Sequence, residues 1–409
     1  ALYYALRVAG AGVGDEVIIQ AYTCVTVPNA VLATGAKPIY CDVDESLNLD
    51  PQEVGKKITN KTKAIIVQHT FGNPEKIEEI REVCGNNTHP NPPLKGEGNK
   101  GRIILIEDCA HSLGARYNGR LVGTFGDISM FSFGRDKVIS SVNGGMLCVN
   151  NEALMSKHTP HPSQEGNLRF PSFVIIARNL MYPIIAQISL KWYNKRSIGK
   201  VIMYVSKKLR LFPLILSDQE KNGMAIISPS SEEGGRGRFS KVGTGNLNCA
   251  GENPTPTLPS KGREARISKF YKMPNVLSFL FLRQFKKIDK YNAHRCKIAK
   301  YYNEALAGSK FKLPEIWNKS EPVYLRYTIF TDQAVKIIKE AKQKGIYLGD
   351  WYRQVIAPKG VNFRSVGYEQ HKCSKAEKYA EMTVNLPNHY GIGMEEAGRV
   401  IEEIEKLGN

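Results

Sequence analysis

Six short apolar runs, most of them separated by stretches long enough for a helix, constrain this chain more than any other feature. They are EVIIQ (from Glu16), KPIYCDV (from Lys37), KAIIVQH (from Lys63), RIILIED (from Arg102), DISMFSF (from Asp127) and GMLCVN (from Gly145). Runs that are continuously apolar and rich in β-branched residues suit strands buried on both faces. With helices between them they predict an α/β fold built on a mostly parallel sheet. Ligands of such sheets bind beyond the carboxyl ends of the strands. Three of the runs end there on polar groups: Gln68-His69, Glu107-Asp108 and Ser132.

After residue 273 the rhythm changes. A long helical stretch from about Pro274 to Leu306 leads to strand-like PVYLRYTIF, a helix near Val335 to Lys344 and a last amphipathic helix, MEEAGRVIEEIEKL. This predicts a large domain over 1–272 and a small α+β domain over 273–409. At 409 residues and 42% hydrophobic content the chain can bury cores for both, which excludes a disordered tail protein. The opening ALYYALRVAGAG has no basic n-region and no small-residue cleavage site, and reads as a helix under way inside a domain. Eight scattered cysteines without a C-x-x-C pair fit reduced thiols in the cytoplasm and offer no zinc site.

The net charge of +18 raises nucleic acid and membrane surfaces as partners. Its distribution favours the second. From Gly166 to Ser217 there is no acidic residue, while nine Lys and Arg are interleaved with apolar runs such as FVIIARNLMYPIIAQISL. The segment 170–216 reads either as an interfacial amphipathic element making peripheral membrane contact or as a helical flap docked on the protein or a dimer partner. No nucleic-acid partner is expected. Arg178, Pro183 and Lys191 are expected to interrupt the run too often for it to span a bilayer. Segments near 86–100, 158–168 and 226–264 share a vocabulary of Pro, Ser, Gly, Lys and Glu without apolar periodicity, and read as surface insertions.

Chemistry concentrates between Ile106 and Gly145. In IEDCAHSLGA a strand ends on Glu107-Asp108 and His111 follows. A carboxylate buried at a strand end is costly unless it meets a cation or several donors, and a protonated pyridine nitrogen is one such cation. In FSFGRDKVISSVNGGM a strand delivers Ser132, Gly134 turns the chain, and Lys137 arrives five residues past the serine. A lysine just beyond a strand end can act as an amine nucleophile. Gly144-Gly145 then let the backbone pass close to something bulky.

The order of GDEVIIQAYTCVTVPNAVLATGAKPIYCDVD, IEDCAHSLGA with YNGRLVGTFGD, and FSFGRDK with NGGM resembles the DegT/DnrJ/EryC1/StrS family of nucleotide-sugar aminotransferases, and the likeness resumes from KMPNVLSFLFLRQFKKIDKYNAHRCKIAKYY to LPNHYGIGMEEAGRVIEEI. It implies the aspartate aminotransferase fold (type I), with a seven-stranded sheet, and pyridoxal 5′-phosphate as cofactor. By that resemblance Lys137 holds the cofactor as a Schiff base and moves protons, Asp108 pairs with the pyridinium nitrogen, His111 faces the ring and its 3-hydroxyl, and Ser132 binds the phosphate. Cys24 stands where many members place an aromatic ring that stacks on the cofactor, with Tyr22 as the nearby alternative. The family's Ser-Gly-Thr phosphate loop aligns immediately ahead of Ala1. A nucleotide-linked keto-sugar and glutamate are the implied substrates, and a homodimer the implied assembly, for amino-sugar or surface polysaccharide synthesis. Lys137 argues against the dehydratase variant of the family, in which histidine replaces that lysine. The alternative is a non-catalytic relative that binds or regulates. Arg326 in YLRYTIF and Arg353 in DWYRQ are candidate anion contacts.

Overall fold

The computed structural model describes residues 1–86, 102–158, 171–192, 198–209, 211, 221–222 and 274–408. The three insertion segments lie almost wholly outside these residues, as does the expected domain boundary at 272/273.

The apolar runs fold as β1 (Glu16–Gln20), β3 (Lys37–Cys41), β4 (Thr62–Gln68), β5 (Ile104–Asp108), β8 (Ile128–Ser132) and β9 (Gly145–Val149). They form one sheet in the order β3-β1-β4-β5-β8-β9, parallel except for β9, which runs antiparallel to β8. The sheet therefore has six strands among the described residues, not the seven expected. Each strand corresponds to one of the six apolar runs, and no seventh run of that kind was present to supply another.

Successive side chains on a strand point to opposite faces, and both faces are covered. Val17, Ile19, Ala64, Ile66, Ile104 and Ile106 pack with Leu2, Leu6 and Val31, from the helices Leu2–Val8 and Thr26–Thr34. Ile18, Ile65, Val67, Ile103 and Leu105 pack on the other side with Val54, Ile77 and Ile80, from the helices Pro51–Lys57 and Ile77–Asn86. Continuous apolar runs are the sequence consequence of this double burial.

A second core joins the helices Ile288–Ala305, Ala334–Gln343 and Met394–Gly408 to the antiparallel pair β11 (Tyr327–Phe330) and β13 (Thr383–Leu386), through Ile298, Tyr302, Ile329, Ile337, Val384 and Ile404. The long helix expected from Pro274 to Leu306 is two, Asn275–Phe285 and Ile288–Ala305, because Lys287 leaves helical geometry (φ −110, ψ 4). The chain then returns to the first core. β12 (Ile356–Ala357) pairs in parallel with β2 (Thr23–Cys24), and Tyr352, Val366, Tyr368 and Tyr379 pack among the residues of the large sheet. A small antiparallel sheet pairs β6 (Arg116–Tyr117) with β10 (Ser320–Glu321) on one side and with β7 (Arg120–Leu121) on the other.

Within the basic segment the helices Phe173–Lys191 and Ile198–Lys208 pack against each other. Pro183 lies inside the first without ending it. The expectation that this run is too interrupted to span a bilayer is therefore corrected: the helix is long and apolar enough to cross one, rising about 28 Å over its 19 residues.

Candidate active site

The carboxyl ends of β4, β5 and β8 lie side by side, with Gln68 beside Asp108 and Asp108 beside Met130 in the sheet register. The side chain of Gln68 is occupied in the scaffold, accepting from the Thr23 hydroxyl at 2.6 Å. Asp108 is different. It is buried, one carboxylate oxygen accepts the Ala110 N–H at 2.9 Å, and it has no salt bridge among the described residues. Burial pushes its carboxyl above the ordinary range, against the pull of that N–H and of the nearby Lys137 charge. The site thus holds a buried carboxylate that makes no salt bridge among the described residues.

Lys137 reaches the same region from a tight turn. β8 ends at Ser132, the Lys137 N–H donates to the Gly134 carbonyl at 3.3 Å, and the chain returns as β9, where Gly145 pairs with Ser132. A side chain at Gly134 would stand 3.6 Å from Ser132 Oγ and 3.8 Å from Lys137 Cγ, so the serine and the lysine border one space. The close approach expected at Gly144-Gly145 is to the neighbouring strand: a Cβ on Gly145 would lie 2.8 Å from the Phe131 carbonyl, and Gly144 has φ +138.

His111 is buried beside this space. Its Nδ1 accepts the Phe71 N–H at 3.3 Å, which leaves the proton on Nε2 as a donor. Burial first, then the charges of Lys137 and Arg326, hold the imidazolium well below its usual value, so the ring is neutral. Phe71 stacks on His111 with ring centroids 5.8 Å apart and planes at 18°, and Tyr352 packs against both. Sequence reasoning missed Phe71 and Tyr352. The first has φ +54, a backbone choice that no residue-type signal announces, and the second comes from a segment nearly 250 residues beyond Asp108 in the chain.

Tyr22 does not face the site as a stacking ring. It is fully buried, its hydroxyl lies 2.7 Å from Thr383 Oγ1, and its ring packs edge-on to Phe71 and Tyr352. Cys24 sits at the end of β2 beside Ala357. Burial pushes its thiol up, and it lies close enough to Lys137 and Asp136 to feel both charges.

Glu107, the neighbour of Asp108 on β5, points to the opposite face and has a structural task. It accepts the N–H groups of Gly123, Phe125 and Gly126 at 2.6, 2.8 and 2.6 Å. His69 completes the set: its Nδ1 accepts the Glu75 N–H, so Nε2 donates to Glu107 at 3.2 Å. Burial alone would raise the Glu107 carboxyl, yet these donors hold it below the ordinary range. Cys109 is near enough to form a possible ligand triad with His69 and Glu107. Both Glu107 oxygens already accept hydrogen bonds, and burial pushes the Cys109 thiol well above its usual range. The seven described cysteines are free.

Arg326 closes one side of the site. Its guanidinium lies 3.6 Å from Asp136, and its Nε is buried without a hydrogen-bond partner. It also lines, with Phe71, Thr70, Tyr324 and Asn303, a cavity of 230 Å³. Arg353 likewise has a buried, unpartnered Nε.

A spore coat polysaccharide biosynthesis protein, SpsC of Bacillus subtilis, is 34% identical over 158 residues, 38% of this chain and 37% of that protein. A GDP-perosamine synthase of Escherichia coli O157:H7 is 39% identical over 158 residues, 38% of this chain and 40% of that enzyme. The chain thus spans about two-fifths of the length of the curated relatives it matches. Among solved structures, the Spr1654 protein of Streptococcus pneumoniae in its PLP form superposes with a TM-score of 0.65 at 20% identity, covering 100% of this chain and 84% of that one. An aminotransferase from Psychrobacter cryohalolentis gives 0.65 at 19%, covering 100% and 85%. Both show the fold, that of the type I pyridoxal-phosphate-dependent transferases. The profile of the DegT/DnrJ/EryC1/StrS aminotransferase family, whose cofactor is pyridoxal phosphate, matches residues 1–163 and 258–405. The chain belongs to the DegT/DnrJ/EryC1/StrS aminotransferase family.

Proposed function

We propose that this chain carries the catalytic centre of a sugar aminotransferase that moves an amino group from glutamate to a keto-sugar linked to a nucleoside diphosphate. The observation that carries the reading is Asp108: a buried carboxylate, without a cation of its own, at the end of β5 beside Lys137 and a neutral His111. The donor set fits pyridoxal phosphate. A buried anion suits the pyridinium nitrogen, the His111 Nε2–H suits an oxygen on the ring, the Ser132 hydroxyl suits a phosphate oxygen, and the Lys137 amine suits a carbonyl carbon. Cys24 borders the same space.

When bound, the cofactor supplies an electron sink for the carbanion formed at the amino-bearing carbon. The protein's part is to hold and move protons. Asp108 would hold the ring nitrogen in its protonated form, since a buried carboxylate is stabilised by a cation in direct contact. His111 holds its proton on Nε2, since Phe71 occupies Nδ1. The Lys137 amine would hold the cofactor and would serve as the acid/base that moves a proton at the substrate carbon. Arg326, with an unpartnered Nε, offers a planar donor to an acidic group of the substrate. The names of the relatives, GDP-perosamine synthase and a spore coat polysaccharide protein, support a nucleotide-sugar acceptor and a place in surface polysaccharide synthesis. We assign the working form as a homodimer in the cytoplasm.

The test is the visible absorption spectrum of the chain incubated with pyridoxal phosphate, repeated for Lys137→Ala and after addition of glutamate. A protein-bound band that needs Lys137 and shifts with glutamate is expected. A wild-type chain without such a band is a non-catalytic relative.

A further inference from the structure

The helices Phe173–Lys191 and Ile198–Lys208 bury small and polar side chains while leaving large apolar ones exposed. Asn179, Ser189, Gly199 and Ser206 are turned inward and buried, together with Ile175 and Ile185. The Asn179 amide donates to the Ile175 carbonyl of its own helix at 3.0 Å, while its Oδ1 and the Ser189 hydroxyl find no partner. Facing outward are Phe173 (82% exposed), Ile184 (53%), Leu190 (72%), Val201 (57%), Tyr204 (67%) and Leu209 (63%). A helix pair bathed in water places these two sets the other way round. Small and polar residues at the packed side with aliphatic residues outside is the arrangement of helices whose surroundings are hydrocarbon. An apolar surface of this extent on a soluble domain marks an interaction site.

Charge decides what covers it. Residues 166–217 contain nine Lys and Arg and no Asp or Glu. A second copy docking through this face about a twofold axis would set the same cations against one another. An anionic bilayer meets both demands, with acyl chains for the aliphatic side chains and phosphates for Lys191, Lys200, Lys207 and Lys208 on flexible stems. Trp192 and Tyr204, both exposed, are the residue types that settle at the headgroup level.

We infer that the helices Phe173–Lys191 and Ile198–Lys208 bed this protein on an anionic membrane surface, their apolar side in the outer acyl region and their lysines at the lipid phosphates. The face is coupled to the candidate active site. Arg135, two residues before Lys137, stands over the ring of Tyr182 at 4.3 Å. The Lys137 turn therefore rests on the helix that meets the lipid. This inference is independent of the chemistry proposed above.

Flotation of the full chain with vesicles of phosphatidylcholine, alone or mixed with phosphatidylglycerol, tests it. Binding is expected only with the anionic vesicles and is expected to be released by high salt. Each of Lys207→Gln and Lys208→Gln should weaken partitioning roughly five-fold, and the pair about 25-fold. Ile184→Ser with Ile188→Ser should abolish binding with the lysines intact. Both side chains are exposed, so the fold and the cofactor spectrum should not change. The inference is overturned by a wild-type chain that stays with the protein fraction, by equal binding to neutral vesicles, or by an isoleucine variant that still floats. It is also overturned if sedimentation equilibrium shows a self-associated wild type that the isoleucine variant converts to monomer, since a second copy then covers the face.

Discussion

The backbone N–H of Phe71 donates to Nδ1 of His111 at 3.3 Å while the two rings stack at 18°. One residue therefore fixes the tautomer of the histidine and the plane of its ring. The Nε2–H is left as the only donor His111 can present to a ligand. Because Phe71 does this from φ +54, the arrangement depends on the chain around it and not on local preference.

That relationship has a pH signature. His111 is held neutral in the fold by burial and by the charges of Lys137 and Arg326. The unfolded chain takes up this proton near about pH 6.5 and the folded chain does not. Below that pH the unfolded state binds more protons, so this contribution to stability is present above about pH 6.5 and is lost as pH falls further. Urea midpoints of the wild type should drop between about pH 7 and pH 5. His111→Gln should show a smaller drop, and an equal drop in both proteins rules out His111 as its source.

Glu107 shows the opposite logic for a carboxylate. Its three backbone donors and His69 hold its folded value below the ordinary one. Its stabilisation is therefore present at neutral pH and is lost as pH falls through that lowered value. Glu107→Gln points an amide N–H₂ at donors that need acceptors. A loss of about 3 kcal/mol by chemical denaturation at neutral pH is expected, shrinking in acid as the wild-type carboxyl also becomes protonated.

Asp108→Asn should separate stability from activity. The carboxylate is buried without a salt bridge among the described residues, so the amide should stabilise the cofactor-free protein, by about 1 kcal/mol in unfolding free energy. The same change removes the partner of the ring nitrogen, and turnover should fall by roughly 100-fold or more. A variant that is destabilised and still active is incompatible with the role given to Asp108.

Arg326→Lys tests the anion contact. The guanidinium offers a planar fork where an ammonium offers a point charge. KM for the acidic amino donor should rise roughly ten-fold, equivalent to about 1.4 kcal/mol, with kcat changed little. A fall in kcat with KM unmoved would shift Arg326 from substrate binding to support of the Lys137 turn through Asp136, 3.6 Å away.

The amino-acid sequence determined the six strands and the polar residues at their ends, because each of these is a local property: apolar run length, β-branched content and the residue that follows the last buried position. It also placed Asp108, His111, Ser132 and Lys137 within one short stretch, and the fold brings their elements to one end of the sheet. Tertiary structure alone decided the rest. The roof of the site comes from Phe71 and Tyr352, far apart in the chain and joined only when 352–380 packs back on the first core. His69 and Glu107 become a pair because β4 and β5 are neighbours, which no spacing within either strand reveals. That the helix Phe173–Lys191 buries Asn179 and Ser189 while exposing Phe173, Ile184 and Leu190 is likewise invisible in composition. Which side of a helix is buried depends on what it packs against, and that contact is made only in three dimensions.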